Sequence, residues 1–460
     1  MNRDINNSNI YKKALMLAVP MMIQSGIANA VVLVDNLMVG SLGTECISGV
    51  SIAGQLLFVF NLAVFGGLSG PGIYGAQYFG HGDREGYRQV FRLKIWIGLT
   101  ITLAGIAIFL LAGPALIHLY LTGSGDSFNS DMALIQGLDY LNIMLAGLIP
   151  FTLVQVYAGS LREMNESITP MTAGIFSVFV DILLNYILIY GKLGFPEMGV
   201  KGAALATVLA RIAELLAIIS LKRRRAEAYP FLEDVYRTLR VPVSRVKPVL
   251  RKGFPIFLNE FLWAGGMAAL TQCYSIKGLA VVAGLNISNV LCNLFNVVFV
   301  NMGVAVGILE GQFLGASRFK EAKDSAEKLL WFCCGICVIL TISLISLSGV
   351  FPKAYNTTEE VRHLASWFII ITASFMPVQG LLNALYFILR SGGKTLITFI
   401  FDSVFSWCVS VPFAFALCHY SPFSILTILI MVQAADMIKV VIGLVLVRKG
   451  IWMTNLVSGS

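Results

Sequence analysis

Carboxylates set inside long apolar stretches are the residues of this sequence best placed to do chemistry. Asp35, Asp181 and Glu260 are three of them, each with amides or hydroxyls nearby. An acid at the centre of a bilayer costs about 2.5–3.5 kcal/mol on insertion scales, so its presence needs a reason. Burial disfavours the charged form of a carboxyl and lets it bind a proton near physiological pH. The same oxygens, joined by neighbouring amides and hydroxyls, can instead hold a small cation. The chemistry on offer is therefore reversible uptake of a proton or a small cation.

Spacing groups these residues. Asp181 and Asn185 stand at i and i+4, which places them on one helical face. Gln24 lies eleven residues before Asp35 and shares its face, and Thr207 sits in the stretch GAALAT. A polar clamp between helices is the structural alternative for this set. Glu260, in LNEFLW, is either an ion ligand or an acid at a helix start. Asn286, Asn289, Asn293 and Asn296 recur at steps of three and four and form one stripe. Four amides facing lipid are costly, so the stripe faces a cavity or another helix. Tyr157, Trp263, Met267, Phe375, Met376 and Tyr386 are candidate cavity residues, because aromatic and Met surfaces adapt to varied apolar ligands and aromatic faces attract cations. Helix packing or lipid contact is the alternative for each. Arg211 with Glu214, and Asp436 with Lys439, are i, i+3 pairs that can neutralise themselves within one helix. Exchange of partners between helices is the other reading.

The elements that position these residues follow from composition. The 460 residues are 57% hydrophobic and only 13% charged, against about 25% charge in a soluble globular chain. A spanning helix needs about 20 apolar residues, and twelve such segments are predicted: 14–40, 47–79, 95–117, 133–159, 168–190, 201–221, 253–275, 280–314, 327–351, 362–389, 395–418 and 423–447. The fold class is an all-α membrane protein. Asp35 lies deep in the first segment and no small-residue cleavage pattern follows it, so no cleaved signal peptide is expected. With both termini inside, the basic residues collect in the inner loops, and only Lys192, Lys201, Lys277, Lys353 and Arg362 fall in outer ones. That bias supports N-in, C-in topology. It also explains the net charge of +8 without a nucleic-acid partner.

The chain is also an internal duplication. A shift of 235 positions carries Pro20 onto Pro255, Gly43 onto Gly278, Gly49 onto Gly284, Gly72 onto Gly307, Gln77 onto Gln312 and Gly80 onto Gly315. Pro150 and Pro377, and Arg162 and Arg390, match at offsets of 227 and 228. Arg211 and Glu214 match Asp436 and Lys439 with the signs reversed, at an offset of 225. Six spans per half make two parallel six-helix bundles related by a pseudo-twofold axis along the membrane normal. The expected domains are an N-terminal lobe at 1–221, a basic cytoplasmic linker at 222–252 and a C-terminal lobe at 253–460.

The stretches VDNLMVGSLG, GAQYFG, LREMNESITPM, DILLNYILIYGKLGFPEMGVKGAALAT, KGFPIFLNEFLWAGG and LRSGGKT occur in this order. With them the chain resembles the multidrug and toxic compound extrusion (MATE) family over residues 12–450. The resemblance implies a two-lobed antiporter that expels organic cations and related amphiphiles against an inward flow of protons or sodium ions. It implies an ion site at Asp35, Asp181, Asn185 and Thr207, with Glu260 in the other lobe. In the family pattern the amide precedes the acid on the fifth span. Here Asp181 precedes Asn185, moving the carboxylate by one turn. Sodium-coupled members carry a seventh-span acid where this chain has Trp263, and a tenth-span acid where it has Gln379. Gln24, Gln379 and Asn383 complete the expected substrate cavity.

Other classes fit less well. The sequence has no Walker A, H-E-x-x-H or G-x-S-x-G motif, so an enzyme is not expected. Cys333, Cys334 and Cys337 stand in an apolar helix without a partner His, and read as packing residues rather than a metal site. No cofactor is expected beyond the coupling ion. A lipid-linked oligosaccharide or lipid flippase is the alternative function, but it calls for basic residues in a central cavity rather than in loops. A monomer in a bacterial inner membrane, in contact with lipid, is the expected setting.

Overall fold

The computed structural model describes residues 10–121, 130–224, 229–233 and 235–458. Arg3, one of the basic residues counted on the inner side, lies outside the described residues, as do 225–228 and 234 of the linker. Twelve long helices carry the described chain: α1 (Ile10–Gly40), α2 (Thr44–His81), α3 (Arg84–Leu121), α4 (Ser130–Glu163), α5 (Ile168–Ile189), α6 (Gly199–Arg224), α7 (Val243–Ser275), α8 (Leu279–Gly315), α9 (Phe319–Leu347), α10 (Glu359–Ser391), α11 (Thr395–Tyr420) and α12 (Ile425–Arg448). Each predicted span falls on one of them. Several helices overrun the apolar segment at its basic end. α3 begins at Arg84 and α7 at Val243, because amphipathic turns continue the helix where the apolar run stops.

Eleven of these helices are long and apolar enough to cross a membrane. The other is α7, of 33 residues. It opens with Arg245, Lys247, Arg251 and Lys252 and holds Asn259 and Glu260 near its middle. α11 contains two π-helical turns, Ile400–Val404 and Ser406–Ser410. Such turns are rare and concentrate at functional sites.

The duplication is written in the backbone. Gly43 and Gly278 have φ of 128° and 119°, Gly82 and Ser317 have 81° and 58°, and Asn165 and Gly393 have 64° and 71°. Each pair holds equivalent places in the two repeats, so the three elbows use the same left-handed residue. Repeat two tolerates Ser317 and repeat one tolerates Asn165 where a glycine would be the unstrained choice.

The chain folds into two compact units whose boundaries differ from those of the repeat. One comprises Ile23–Gly75 and Arg84–Val246; the other comprises residues up to Met22, Ala76–Asp83 and Lys247–Ser460. We call them the N-unit and the C-unit. The start of α1 and the end of α2 thus belong with the second repeat. Ala14, Leu17, Ala18 and Met21 are buried in a C-unit core with Met302, Leu309, Leu330, Leu385 and Trp452. The N-unit core gathers Leu56, Phe60, Phe109, Leu141 and Leu148. The linker is fastened to the N-unit rather than free. Arg92 Nε donates to the Val235 carbonyl at 2.8 Å, Trp96 Nε1 to Leu239 at 3.0 Å and Lys222 Nζ to Leu232 at 3.1 Å. Tyr229, Phe231, Leu232 and Val235 are buried there.

Candidate functional site

The N-unit holds the cluster predicted from spacing. α1 supplies Asp35, α5 supplies Asp181 and Asn185 one turn apart, and α6 supplies Thr207. Asn185 Nδ2 donates to Asp35 Oδ1 at 2.8 Å. The carboxyls of Asp35 and Asp181 lie within hydrogen-bonding reach of each other, and Thr207 reaches Asp181. Tyr140 of α4, which sequence reasoning missed, lies within hydrogen-bonding reach of Thr207. Asp181 and Asn185 are buried, and Oδ1 of each has no hydrogen-bond partner. The charge of Arg211 reaches both acids, but its guanidinium is engaged with Glu214 at 3.0 Å. Two acids thus share one pocket of oxygens with a single committed cation. One added positive charge relieves their repulsion and supplies the missing partner.

Gln24 is not part of that cluster. Its Oε1 accepts from Arg162 Nη2 at 2.8 Å, and Gly174 leaves it room, since a Cβ there would stand 2.9 Å from Nε2.

The C-unit holds a second cluster. Asn259 Nδ2 donates to Asp402 Oδ2 at 2.9 Å, and Ser403 Oγ donates to Asn259 Oδ1 at 2.6 Å. Tyr386 OH lies 3.4 Å from the same amide nitrogen. Glu260 is next to this amide on α7, and the charges of Arg390 and Asp402 both reach it. Arg390 lies over the rings of Tyr386 and Phe387 at 5.9 and 5.2 Å. Its Nη1 is buried without a partner. Asp402 sits on the first π-helical turn of α11. Sequence reasoning passed over it because its partner, Asn259, lies on α7, 143 residues away. Gln379 is half-buried and donates to Asp436 Oδ2 at 2.9 Å, and Asp436 is paired with Lys439 at 2.9 Å.

The cavity candidates divide by exposure. Trp263 and Met267 are 41% and 50% exposed on the surface of the C-unit. Asn286, Asn289 and Asn293 are exposed on the same unit, with Asn296 half-buried and donating to Asn293 at 3.4 Å. The amide stripe therefore points away from its own core. Asn383 and Tyr386 are half-buried, and Asn383 packs against Gly303. Two candidates are corrected. Met376 is buried in the C-unit core with Leu291, Cys292 and Cys337. Tyr157 is buried under the linker, its hydroxyl against that of Tyr236 and its ring edge-on to Phe91. Burial pushes the Tyr236 phenol above its usual pKa, so that contact stays protonated.

Glu163 and Glu310 are buried carboxyls outside both clusters. Glu163 of α4 is held by Lys94 of α3, with Nζ 2.6 Å from each oxygen, and Lys94 also donates to Ser160 Oγ at 3.0 Å. Glu310 of α8 accepts from Ser325 Oγ at 2.5 Å, while its other oxygen has no partner.

Known proteins share this architecture. The family model described as MatE matches residues 20–187 and 255–416, one stretch in each repeat. A relative from Bacillus subtilis, named as a probable multidrug resistance protein, YoeA, is 26% identical, covering 93% of this chain and 91% of its own. A probable multidrug resistance protein NorM from Thermotoga maritima is 24% identical over 89% and 86% of the two chains. Among solved structures, the Vibrio cholerae MATE transporter VcmN superposes with a TM-score of 0.86 at 16% identity, covering 98% of both chains. An outward-facing multidrug resistance MATE transporter superposes at 0.83 and 20% identity, covering 99% and 98%.

Proposed function

The chain belongs to the MatE family of multi-pass membrane transporters, and from that premise we propose that it is a secondary active antiporter exporting lipophilic, often cationic, small molecules. The observation that carries this reading is the N-unit cluster, where Asp35 and Asp181 share a buried pocket with two unpartnered oxygens. A site with that charge balance exchanges one small cation for another positive charge. In the proposed cycle, protein open to the outside takes up a proton at the Asp35–Asp181 pair. Protein open to the cytoplasm releases it and rebinds substrate, the negative pair favouring a cation there. Trp263, Met267 and the exposed amides of α8 supply apolar and polar contacts for varied ligands. Glu260 and Asp402 form a second acidic station in the C-unit. The working unit is a monomer in a bacterial inner membrane with both termini cytoplasmic, the orientation that the distribution of Lys and Arg supports.

The test uses purified protein in liposomes loaded with ethidium, under an imposed proton gradient and, separately, a sodium gradient. Proton-driven dye movement that disappears in Asp35→Asn, with the variant still folded, is the expected result. Movement driven only by sodium would reassign the ion while keeping the site. Flux under neither gradient from folded protein would reject drug efflux and favour a lipid or lipid-linked oligosaccharide flippase.

A further inference from the structure

α2 is one continuous helix, Thr44–His81, yet it changes unit between Gly75 and Ala76. A separate grip holds each side of that boundary. On the N-unit side, Glu163 lays its carboxylate across Gly72 and Gly75, and a Cβ on Gly75 would collide with it. Lys94 fixes that carboxylate through both oxygens. On the C-unit side, Gly80 packs against the backbone of Gln312 while Gly315 packs against the backbone of Gln77, a reciprocal contact between equivalent residues of the two repeats.

The Gln77 amide then ties down the segment that follows α12. Its Nε2 donates to the Ser391 carbonyl at 2.9 Å and the Thr454 carbonyl at 3.2 Å, and its Oε1 accepts from Leu456 N at 2.7 Å. Asn455 Nδ2 adds bonds to the Gly315 carbonyl at 3.2 Å and Ser317 Oγ at 2.8 Å. Trp452 is wholly buried and Val457 nearly so. Residues 452–457 thus form a strap that clamps the end of α2 into the C-unit.

The stretch of α2 just before the boundary is built to bend. Gly66, Gly67, Gly70, Pro71, Gly72 and Gly75 fall within ten residues, and sharp helix bends arise at proline and glycine. Ser69 Oγ also bonds back to the Phe65 carbonyl at 2.6 Å, a contact that favours bending. The equivalent stretch of α8, 301–310, keeps only Gly303 and Gly307 and has no proline. The duplication therefore produced one helix with a soft segment and one without.

We propose that residues 66–75 are the hinge of the transport cycle and that the Gln77 strap anchors the helix beyond it. This rests on alternating access as proposed above. The grip on Gly72 and Gly75 is a carboxylate against bare backbone and can slide. The grip on Gln77 is a set of hydrogen bonds in register and stays closed. Gln77 and Glu163 are positioning residues in this scheme and touch no transported ion.

Hydrogen exchange on the full chain in lipid nanodiscs tests the proposal, with and without ethidium and at two pH values. The expected result is that amides of 66–75 exchange at least tenfold faster in one of these conditions, while 301–310, 76–83 and 452–457 hold their protection. Equal protection of 66–75 and 301–310 in every condition would overturn the hinge. Joint loosening of 76–83 and 452–457 would overturn the anchor. Gln77→Ala should deprotect 452–457, leave α8–α10 protected and slow ethidium flux at least tenfold; full flux with an open strap would remove its role. A wild type that moves no ethidium but still loosens 66–75 with pH would reject the efflux reading and leave the hinge standing.

Discussion

The two repeats share a scaffold but differ in where each keeps its polar residues. The N-unit sets Asp35 and Thr207 where the C-unit has Leu270 and Val432. Those two residues lie in or against an apolar core with Phe368, Phe413 and Ala414. The C-unit sets Glu260, Tyr386 and Asp402 where the N-unit has Ser25, Ala158 and Gly174. Only the amide and the arginine recur, as Gln24 with Arg162 and Asn259 with Arg390. In the N-unit they bond each other; in the C-unit the amide has turned to Asp402 and the arginine to Tyr386. Duplication thus supplied two frames, and each frame acquired acids at a different depth. In the N-unit they stand toward the ends of α1 and α5, and in the C-unit toward the middle of α7 and the start of α11.

The buried carboxyls outside these clusters offer the largest test of that asymmetry. Lys94→Met leaves Glu163 as an uncompensated buried charge and should cost about 3–5 kcal/mol, read as a fall in thermal unfolding temperature. A thermal midpoint like that of the wild type would show that the ion pair is dispensable. Asp35→Asn should slow gradient-driven flux about a hundredfold, or ~2.7 kcal/mol in barrier, in protein that still inserts and folds. Asp402→Asn should slow it by about tenfold, or ~1.4 kcal/mol. Equal losses in the two variants would erase the ranking of the units, and an unaffected Asp402→Asn would confine coupling to the N-unit. Smallest of all, Glu310→Gln should change stability by less than about 1 kcal/mol, because Glu310 has a serine rather than a cation for a partner. A loss as large as that of Lys94→Met would mean that the Glu310 carboxyl carries a charge that some other group balances.

Much of this was legible in the sequence. Apolar length gave the helices, and the recurrence of Gly43 at the position of Gly278 reflects an elbow whose backbone demand is local. Asp181 and Asn185 could be paired because i and i+4 share a face whatever surrounds them. Asp402, Tyr140 and Gln77 could not be read, since their roles depend on partners brought from other helices. Tyr157 shows the same limit from the other side. Its type suits a cavity, but the linker covers it through Tyr236, and nothing in the residues around position 157 signals that. Within the basic linker, the buried Tyr229, Phe231 and Val235 decide where it rests.

The burial of Ala14, Leu17, Ala18 and Met21 among residues of α8, α9 and α10 has a consequence for how the protein is made. Met302, Leu330 and Leu385 are synthesised only about 300 residues after them. At about 5–20 residues per second, the beginning of α1 waits on the order of half a minute for its packing partners. During that interval its apolar face must be shielded by lipid or by the insertion machinery. Stalled or truncated chains that end before α8 would therefore expose that face, and quality-control proteases would find it there.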